Sequence, residues 1–217
     1  MCRCEVIEVI SFDLTGTLIT SEFVDYFWLE LVPQLLAKKV EIGIEEAKRI
    51  VYSGYHEVGD HDIRWYIPSY WIERFGLGIN VVDAIRMARD KLRFYPGVED
   101  VLRSLSMKYR LVISSNLSRE FIDVVIEAMN FKGFERVFSC ISDLGIISKT
   151  VEFYKFISRK LGVPPERVLH VGDDPEKDYE NPIRAGMRAI LVVWDELVEC
   201  TTYPHVKGLI ELQKLFY

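Results

Sequence analysis

Side-chain amides are scarce: the 217 residues include four asparagines and two glutamines, against 27 Lys and Arg and 33 Asp and Glu. Few thermolabile amides among many charges is a composition found in thermophilic proteins. Cysteine is scarce too. Cys2, Cys4, Cys140 and Cys200 are too scattered to form a disulfide framework in a chain of this length. Cys2-Arg-Cys4 supplies two of the four ligands that a structural zinc takes, so the pair is read as ordinary thiols. Positive charge is not in excess. A net charge of −6 argues against a nucleic-acid or membrane-surface role resting on bulk positive charge. Apolar runs of membrane-spanning length are absent, and the N-terminus shows no signal-peptide apolar region. The expectation is a cytoplasmic protein with neither nucleic acid nor membrane as partner. Internal repeats and low-complexity segments are also missing.

A 49% hydrophobic content is present, enough for one sizeable core or a core with a small appended domain. "EVIEVISF" (5–12) predicts a strand. From Glu22 to Leu92 apolar residues recur at helical spacing, as in "FVDYFWLELVPQLLAKKV" and "GIEEAKRIVYSGYHEV". This is a block of about four helices. After "YPG" (95–97) the pattern alternates. Strands are predicted at "RLVISS" (110–115), "RVFSCIS" (136–142), "RVLHVG" (167–172) and "RAILVVW" (188–194), with helical segments between them. Apolar strands alternating with helices imply a parallel sheet covered on both faces. The fold class is therefore α/β, a Rossmann-like parallel core with a small all-helical insert. The core is expected at 1–19 and 93–217 and the insert at 20–92.

Ligands of such sheets bind outside the carboxyl ends of the strands. Asp13 follows the first strand, and Ser114, Ser115 and Asn116 the second. Lys149 stands at a helix start. Asp173, Asp174 and Asp178 follow "RVLHV". Carboxylates from separate strand ends suit a hard divalent cation. A lysine, a hydroxyl and loop amides suit a phosphoryl group beside it. That set fits metal-assisted phosphoryl transfer, with Asp13 as a nucleophile toward phosphorus. Each residue also has a plain structural role open to it. Asp13 suits a turn, Asp173 and Asp174 suit caps of the helix near Pro175, and Asp178 suits a helix's first turn.

"FDLTGTL", "VISSN", Lys149 and "VGDDPEKD", in that order, resemble the four motifs of the haloacid dehalogenase superfamily. The helical insert resembles that superfamily's cap, and "YPGVEDVLRSL" its re-entry into the core. The likeness spans nearly the whole chain. It implies Asp13 as nucleophile and metal ligand, the Thr15 carbonyl and Asp173 as further ligands, and Mg2+ as the metal. Asp178 would support the metal through water or an indirect contact. Ser115 and the Asn116 amide would hold phosphoryl oxygens, with Ser114 as the near competitor. Lys149 would bridge nucleophile and phosphoryl group. The superfamily usually follows this lysine with proline, where this chain has Thr150, so Lys155 is the fallback.

Thr15 is the other departure. Phosphatases of the superfamily mostly carry Asp two residues after the nucleophile, and a threonine hydroxyl does not titrate near neutral pH. General acid–base help is worth roughly two to four orders of magnitude, so hydrolysis is expected to be slow. P-type ATPases have Thr at this place and a long-lived aspartyl-phosphate. Phosphonatases use a cap lysine, for which Lys38, Lys39 and Lys48 offer no distinguishing context. The aromatics of the insert, among them Trp28, Trp65, Tyr66 and Trp71, are expected to pack the cap on itself and on the core. Arg64, His56 and His61 are the polar groups there with the reach for a substrate. The expected activity is a Mg2+-dependent phosphatase acting on a small phosphorylated metabolite, as a monomer or homodimer. Two alternatives stand beside it: a non-catalytic relative that binds a phospholigand or a protein, and a 2-haloacid dehalogenase.

Overall fold

The computed structural model describes residues 6–194 and 202–216. The Cys2–Cys4 pair and Cys200 lie outside the described residues. β1 (Val9–Phe12) is fully buried. It sits inside a six-stranded sheet with β2 (Arg110–Ser115), β3 (Phe134–Ser139), β4 (Val168–Gly172), β5 (Arg188–Val193) and β6 (His205–Lys207), in the order β3-β2-β1-β4-β5-β6. Every neighbouring pair is parallel. The chain steps outward from β1 to β2 and β3, then returns to the other side of β1 for β4. That reversal opens a crevice at the carboxyl ends of β1 and β4.

The two-residue period of the strands divides the core. Ile10, Phe12, Leu111 and Ile113 face one apolar layer, and Val9 and Val112 face the other. The first layer is covered by α6 (Val98–Ser106), α7 (Arg119–Ala128) and α11 (Leu209–Lys214), and the second by α9 (Val151–Leu161), against which the short α10 (Asn181–Arg184) packs.

Between β1 and β2 the chain is helical. It runs through α1 (Glu22–Tyr26), α2 (Val32–Val40), α3 (Ile44–Val58), α4 (Pro68–Arg74) and α5 (Val81–Met87). The exit and re-entry of this insert are fastened side by side. Thr20 donates its N–H to the Arg93 carbonyl at 2.9 Å, and Tyr95 donates to Leu18 at 3.0 Å. Pro33 stands inside what the sequence reads as one helix. A proline there has no N–H for the carbonyl one turn back. The helix answers with a π-helical turn, Phe27–Leu31. The Tyr52 hydroxyl donates to the Leu29 carbonyl at 2.7 Å, and that of Tyr55 to Trp28 at 3.1 Å.

Two stretches differ from expectation. "RVFSCIS" is strand only to Ser139, and Cys140–Leu144 forms α8. The Ser139 hydroxyl accepts from the Ser142 N–H at 2.9 Å, a cap that ends the strand by starting a helix. β6 and α11, past Trp194, were not anticipated; three strand residues are too few to show a period. Among the described residues no helix is long and apolar enough to cross a membrane.

Candidate active site

Asp13 leaves β1 with its N–H on the Val171 carbonyl of β4 at 2.9 Å, so the backbone aims it into the crevice. The next turn needs Gly16, with φ of +85°. A Cβ at Gly16 would overlap the Asp173 carboxylate, so the absent side chain lets the two acids approach. Gly172 does the same for Asp178, whose carboxyl lies where its Cβ would be. Asp13, Asp173 and Asp178 each present an oxygen, all within 4.8 Å of one another.

Lys149 lies among them, 3% exposed. Its Nζ is 2.7 Å from Asp13 and also contacts Asp178. Two of the chain's few amides hold the segment that carries it. Asn116 Nδ2 donates to the Ile147 carbonyl at 2.8 Å, and Asn181 Nδ2 to the Lys149 carbonyl at 3.0 Å. Thr150, where the resemblance leads one to expect proline, caps α9: its hydroxyl accepts from the Phe153 N–H at 3.4 Å. The fallback, Lys155, is half-exposed and 4.0 Å from Glu152, away from the acids.

Asp178 is buried and well supplied with donors. His170 Nε2 is 2.9 Å away and the Asp174 N–H 3.2 Å away. Burial works to raise its carboxyl pKa, but the charge of Lys149 and the His170 hydrogen bond outweigh it and hold Asp178 well below the usual carboxylate range. An ionised Asp178 only accepts, so His170 presents its Nε2–H to it. Burial lowers the His170 pKa, leaving Nδ1 free to accept from the Ser11 hydroxyl at 3.0 Å; Ser114 Oγ stands 2.6 Å beyond. Tyr154 closes the group by donating to the Lys177 carbonyl at 2.7 Å. Ser11, Ser114, Tyr154 and His170 thus brace the acids from beneath. Ser114 points into this bracing, while Ser115 lines the cavity. The sequence reading missed His170, although a histidine in the apolar run "RVLHVG" was its signal.

Asp13 and Asp173 behave differently from Asp178. Burial pushes Asp13 up to about 7, against the pull of Lys149 and with a further push from Asp178 and Asp173. Asp173 opens onto the cavity and is raised to about 6, by the protein around it and then by the Asp178 charge. Three carboxyl groups, two of them buried and Asp173 open to the cavity, gather around one lysine, so the site holds more acid than the lysine balances. An all-oxygen donor set with that excess fits a hard divalent cation. Asp174 has another task. It accepts from the Glu176 and Lys177 N–H groups at 3.0 and 2.8 Å, capping the turn at Pro175, and pairs with the Lys177 amine at 2.8 Å.

Above the acids lies a cavity of about 360 Å³. Its floor is Asp13, Thr15, Ser115, Asn116, Lys149, Asp173 and Asp178. The Thr15 hydroxyl is buried there with no hydrogen-bond partner among the described residues. The wall includes Trp28, Trp65, Tyr66 and Phe121. The aromatics therefore divide. Phe27 and Trp71 are fully buried as packing, as expected, whereas Trp28, Trp65 and Tyr66 are half-buried and line the cavity. Arg64 is clamped on Asp62 at 2.6 Å, and His61 points to solvent. His56 lines a separate depression with Tyr52 and Tyr55. Lys48 pairs with Glu30 at 2.7 Å and Lys39 with the Gly76 carbonyl, and among the described residues no lysine of the helical insert lines the cavity.

Residues 7–186 match the haloacid dehalogenase-like hydrolase family. The chain is 26% identical to a GMP/IMP nucleotidase of Escherichia coli (strain K12) over 86% of its own length and 83% of the relative's. It is also 26% identical to a glyceraldehyde 3-phosphate phosphatase of Methanocaldococcus jannaschii, over 87% and 86%. In structure it resembles a HAD phosphatase from Thermococcus onnurineus, with a TM-score of 0.76 at 21% identity over 97% and 98% of the two chains. A match over most of its length makes this chain a member of the haloacid dehalogenase-like hydrolase family.

Proposed function

We propose that the protein is a Mg2+-dependent phosphatase of small phosphorylated metabolites, working through an aspartyl-phosphate on Asp13. The observation that carries this reading is the convergence of three acids and Lys149 around one cavity. The names of the relatives, a GMP/IMP nucleotidase and a glyceraldehyde 3-phosphate phosphatase, support it. Asp13, Asp173, Asp178 and the Thr15 carbonyl would hold the metal. Bound there, Mg2+ would offset charge on the carboxylates and on the phosphoryl group. Residues 20–92 would act as the cap over a core of 1–19 and 93–217, with cap closure excluding water.

An Asp13 oxygen attacks phosphorus, and the bond from phosphorus to the ester oxygen breaks. Lys149 holds Asp13 in place and balances charge on the phosphoryl oxygens, beside Ser115 and the Asn116 amide. Water then attacks phosphorus, releasing inorganic phosphate and restoring Asp13. Thr15 cannot protonate the leaving oxygen, so good leaving groups, such as aryl and acyl phosphates, react fastest. A 2-haloacid brings a carboxylate, and among the described residues no arginine lines the cavity to pair with it.

The test is phosphate release from aryl and acyl phosphates with and without Mg2+. Turnover should need the metal and vanish in Asp13→Asn. Thr15→Asp should raise the rate on alkyl phosphates, by roughly a hundredfold or more if the missing acid limits the reaction. Turnover retained in Asp13→Asn would refute the nucleophile assignment, and metal-free halide release would favour the dehalogenase.

A further inference from the structure

Beyond the acids, the cavity has a second chemistry that the phosphoryl reaction does not use. Its cap-derived wall consists of Val24, Asp25, Trp28, Trp65 and Tyr66, and the core adds Phe121 from α7. Trp28 and Trp65 lie nearly parallel, with ring centroids 6.4 Å apart and planes 29° apart. Trp28 also rests on Phe121 at 5.8 Å. These rings are held in place. Phe121 is 1% exposed and carries Phe23 and Phe27 edge-on, at 5.8 and 5.0 Å. The Trp65 carbonyl takes the indole N–H of buried Trp71 at 3.1 Å. A wall of flat faces that is rigid before ligand arrives favours a flat ligand group, because little ordering remains to be done on binding.

Charge narrows the choice. The two lysines on the cavity are both engaged, Lys149 by Asp13 and Asp178 and Lys177 by Asp174. The only charged group on the cap wall is Asp25, an acid that makes no ion pair among the described residues. A substrate with a second phosphate or a carboxylate at its far end would meet aromatic faces and a like charge. About 360 Å³ is more than a three-carbon phosphate fills.

From these features we infer that the substrate is a monophosphate whose far end is a flat, uncharged heteroaromatic ring: a nucleoside monophosphate, its base against Trp28 and Trp65 and its phosphate on the acidic floor. This rests on the phosphatase reading for the floor, but the aromatic wall makes its own prediction about binding.

The test separates the two. Binding is measured on the Asp13→Asn protein with Mg2+, by quenching of tryptophan fluorescence. The probes are GMP, ribose 5-phosphate, glyceraldehyde 3-phosphate and fructose 1,6-bisphosphate, with the three sugar phosphates followed by competition against GMP. GMP should bind on the order of ten- to a hundredfold more tightly than ribose 5-phosphate, which lacks only the base. Trp28→Ala should remove most of that ratio, and Trp65→Leu is the second variant should Trp28→Ala fail to fold. Equal affinity for GMP and ribose 5-phosphate would overturn the inference, as would tighter binding of the bisphosphate. Base-dependent binding in a protein whose wild type turns over no phosphate ester would overturn the phosphatase reading and leave this one standing.

Discussion

Lys149→Met tests whether one buried lysine is what lets three carboxylates share the site. Methionine keeps most of the stem volume, so the change removes charge with little cavity. In the metal-free protein, Asp13, Asp173 and Asp178 then face one another with no cation. The Lys149–Asp13 contact at 2.7 Å corresponds to on the order of 6 kcal/mol of attraction at an effective dielectric near 20. The cost of burying the lysine offsets part of that. Breaking a buried pair from one side typically costs about 3–5 kcal/mol, and that is the loss expected here. Urea unfolding in the presence of EDTA is the assay, with Lys155→Met as control. Lys155 is half-exposed and 4.0 Å from its acid, and its loss should change stability by no more than about 0.5 kcal/mol. Adding Asp178→Asn to Lys149→Met should restore part of the stability, since it removes one orphaned charge. A loss below about 1 kcal/mol for Lys149→Met, or equal losses for both lysines, would refute the reasoning.

The excess negative charge predicts that Mg2+ raises the melting temperature of the wild type, and that Asp173→Asn weakens the effect; an unchanged Mg2+ response would remove Asp173 from the ligand set. Gly16→Ala should destabilise the fold and weaken the Mg2+ response, because its φ of +85° and the adjacent Asp173 carboxylate leave no place for a methyl group; a thermal melt equal to wild type would contradict this. Trp71→Phe should keep most of the packing and lose the hydrogen bond to the Trp65 carbonyl, at about 1 kcal/mol. Trp71→Ala should cost about 3–5 kcal/mol in the same urea assay, and a cost near zero would deny that Trp71 packs the helical insert.

The parts legible in the sequence were those with local chemistry. Asp13 and Asp173 each follow a buried strand and Ser115 ends one, and a parallel sheet brings such ends to one edge whatever the loops do. Lys149 was harder, because a lysine before a helix looks the same whether solvated or buried. Its placement depends on Asn116 and Asn181, which are 33 residues before it and 32 after it in the chain. His170 was missed because its partners Ser11, Tyr154 and Asp178 come from three separate segments. The division of the aromatics between packing and cavity was also beyond reach. Trp28 and Trp71 share one residue type and both lie in stretches of helical period, and only the fold decides which lines the cavity.

Thr150 and Thr15 show how two departures from one pattern differ in weight. At 150 the missing proline would have fixed the backbone at the start of α9. A capping hydroxyl starts the helix by another route, so geometry at Lys149 is kept. At 15 the missing group is a proton donor, and the three acids that follow β4 are each engaged elsewhere. Asp173 is committed to the acid cluster, Asp174 to its cap and Lys177, and Asp178 to Lys149 and His170. The Thr15 hydroxyl is buried without a hydrogen-bond partner among the described residues, and a hydroxyl can donate a hydrogen bond but does not give up its proton near neutral pH. Under the proposed mechanism, such a site favours forming the aspartyl-phosphate from a good leaving group over hydrolysing it quickly. The phosphoenzyme should therefore accumulate: with an acyl phosphate, a burst of leaving group should precede a slower steady release of phosphate, and Thr15→Asp should abolish the burst by speeding the second step. A wild-type time course that is linear from the first turnover would place the slow step elsewhere.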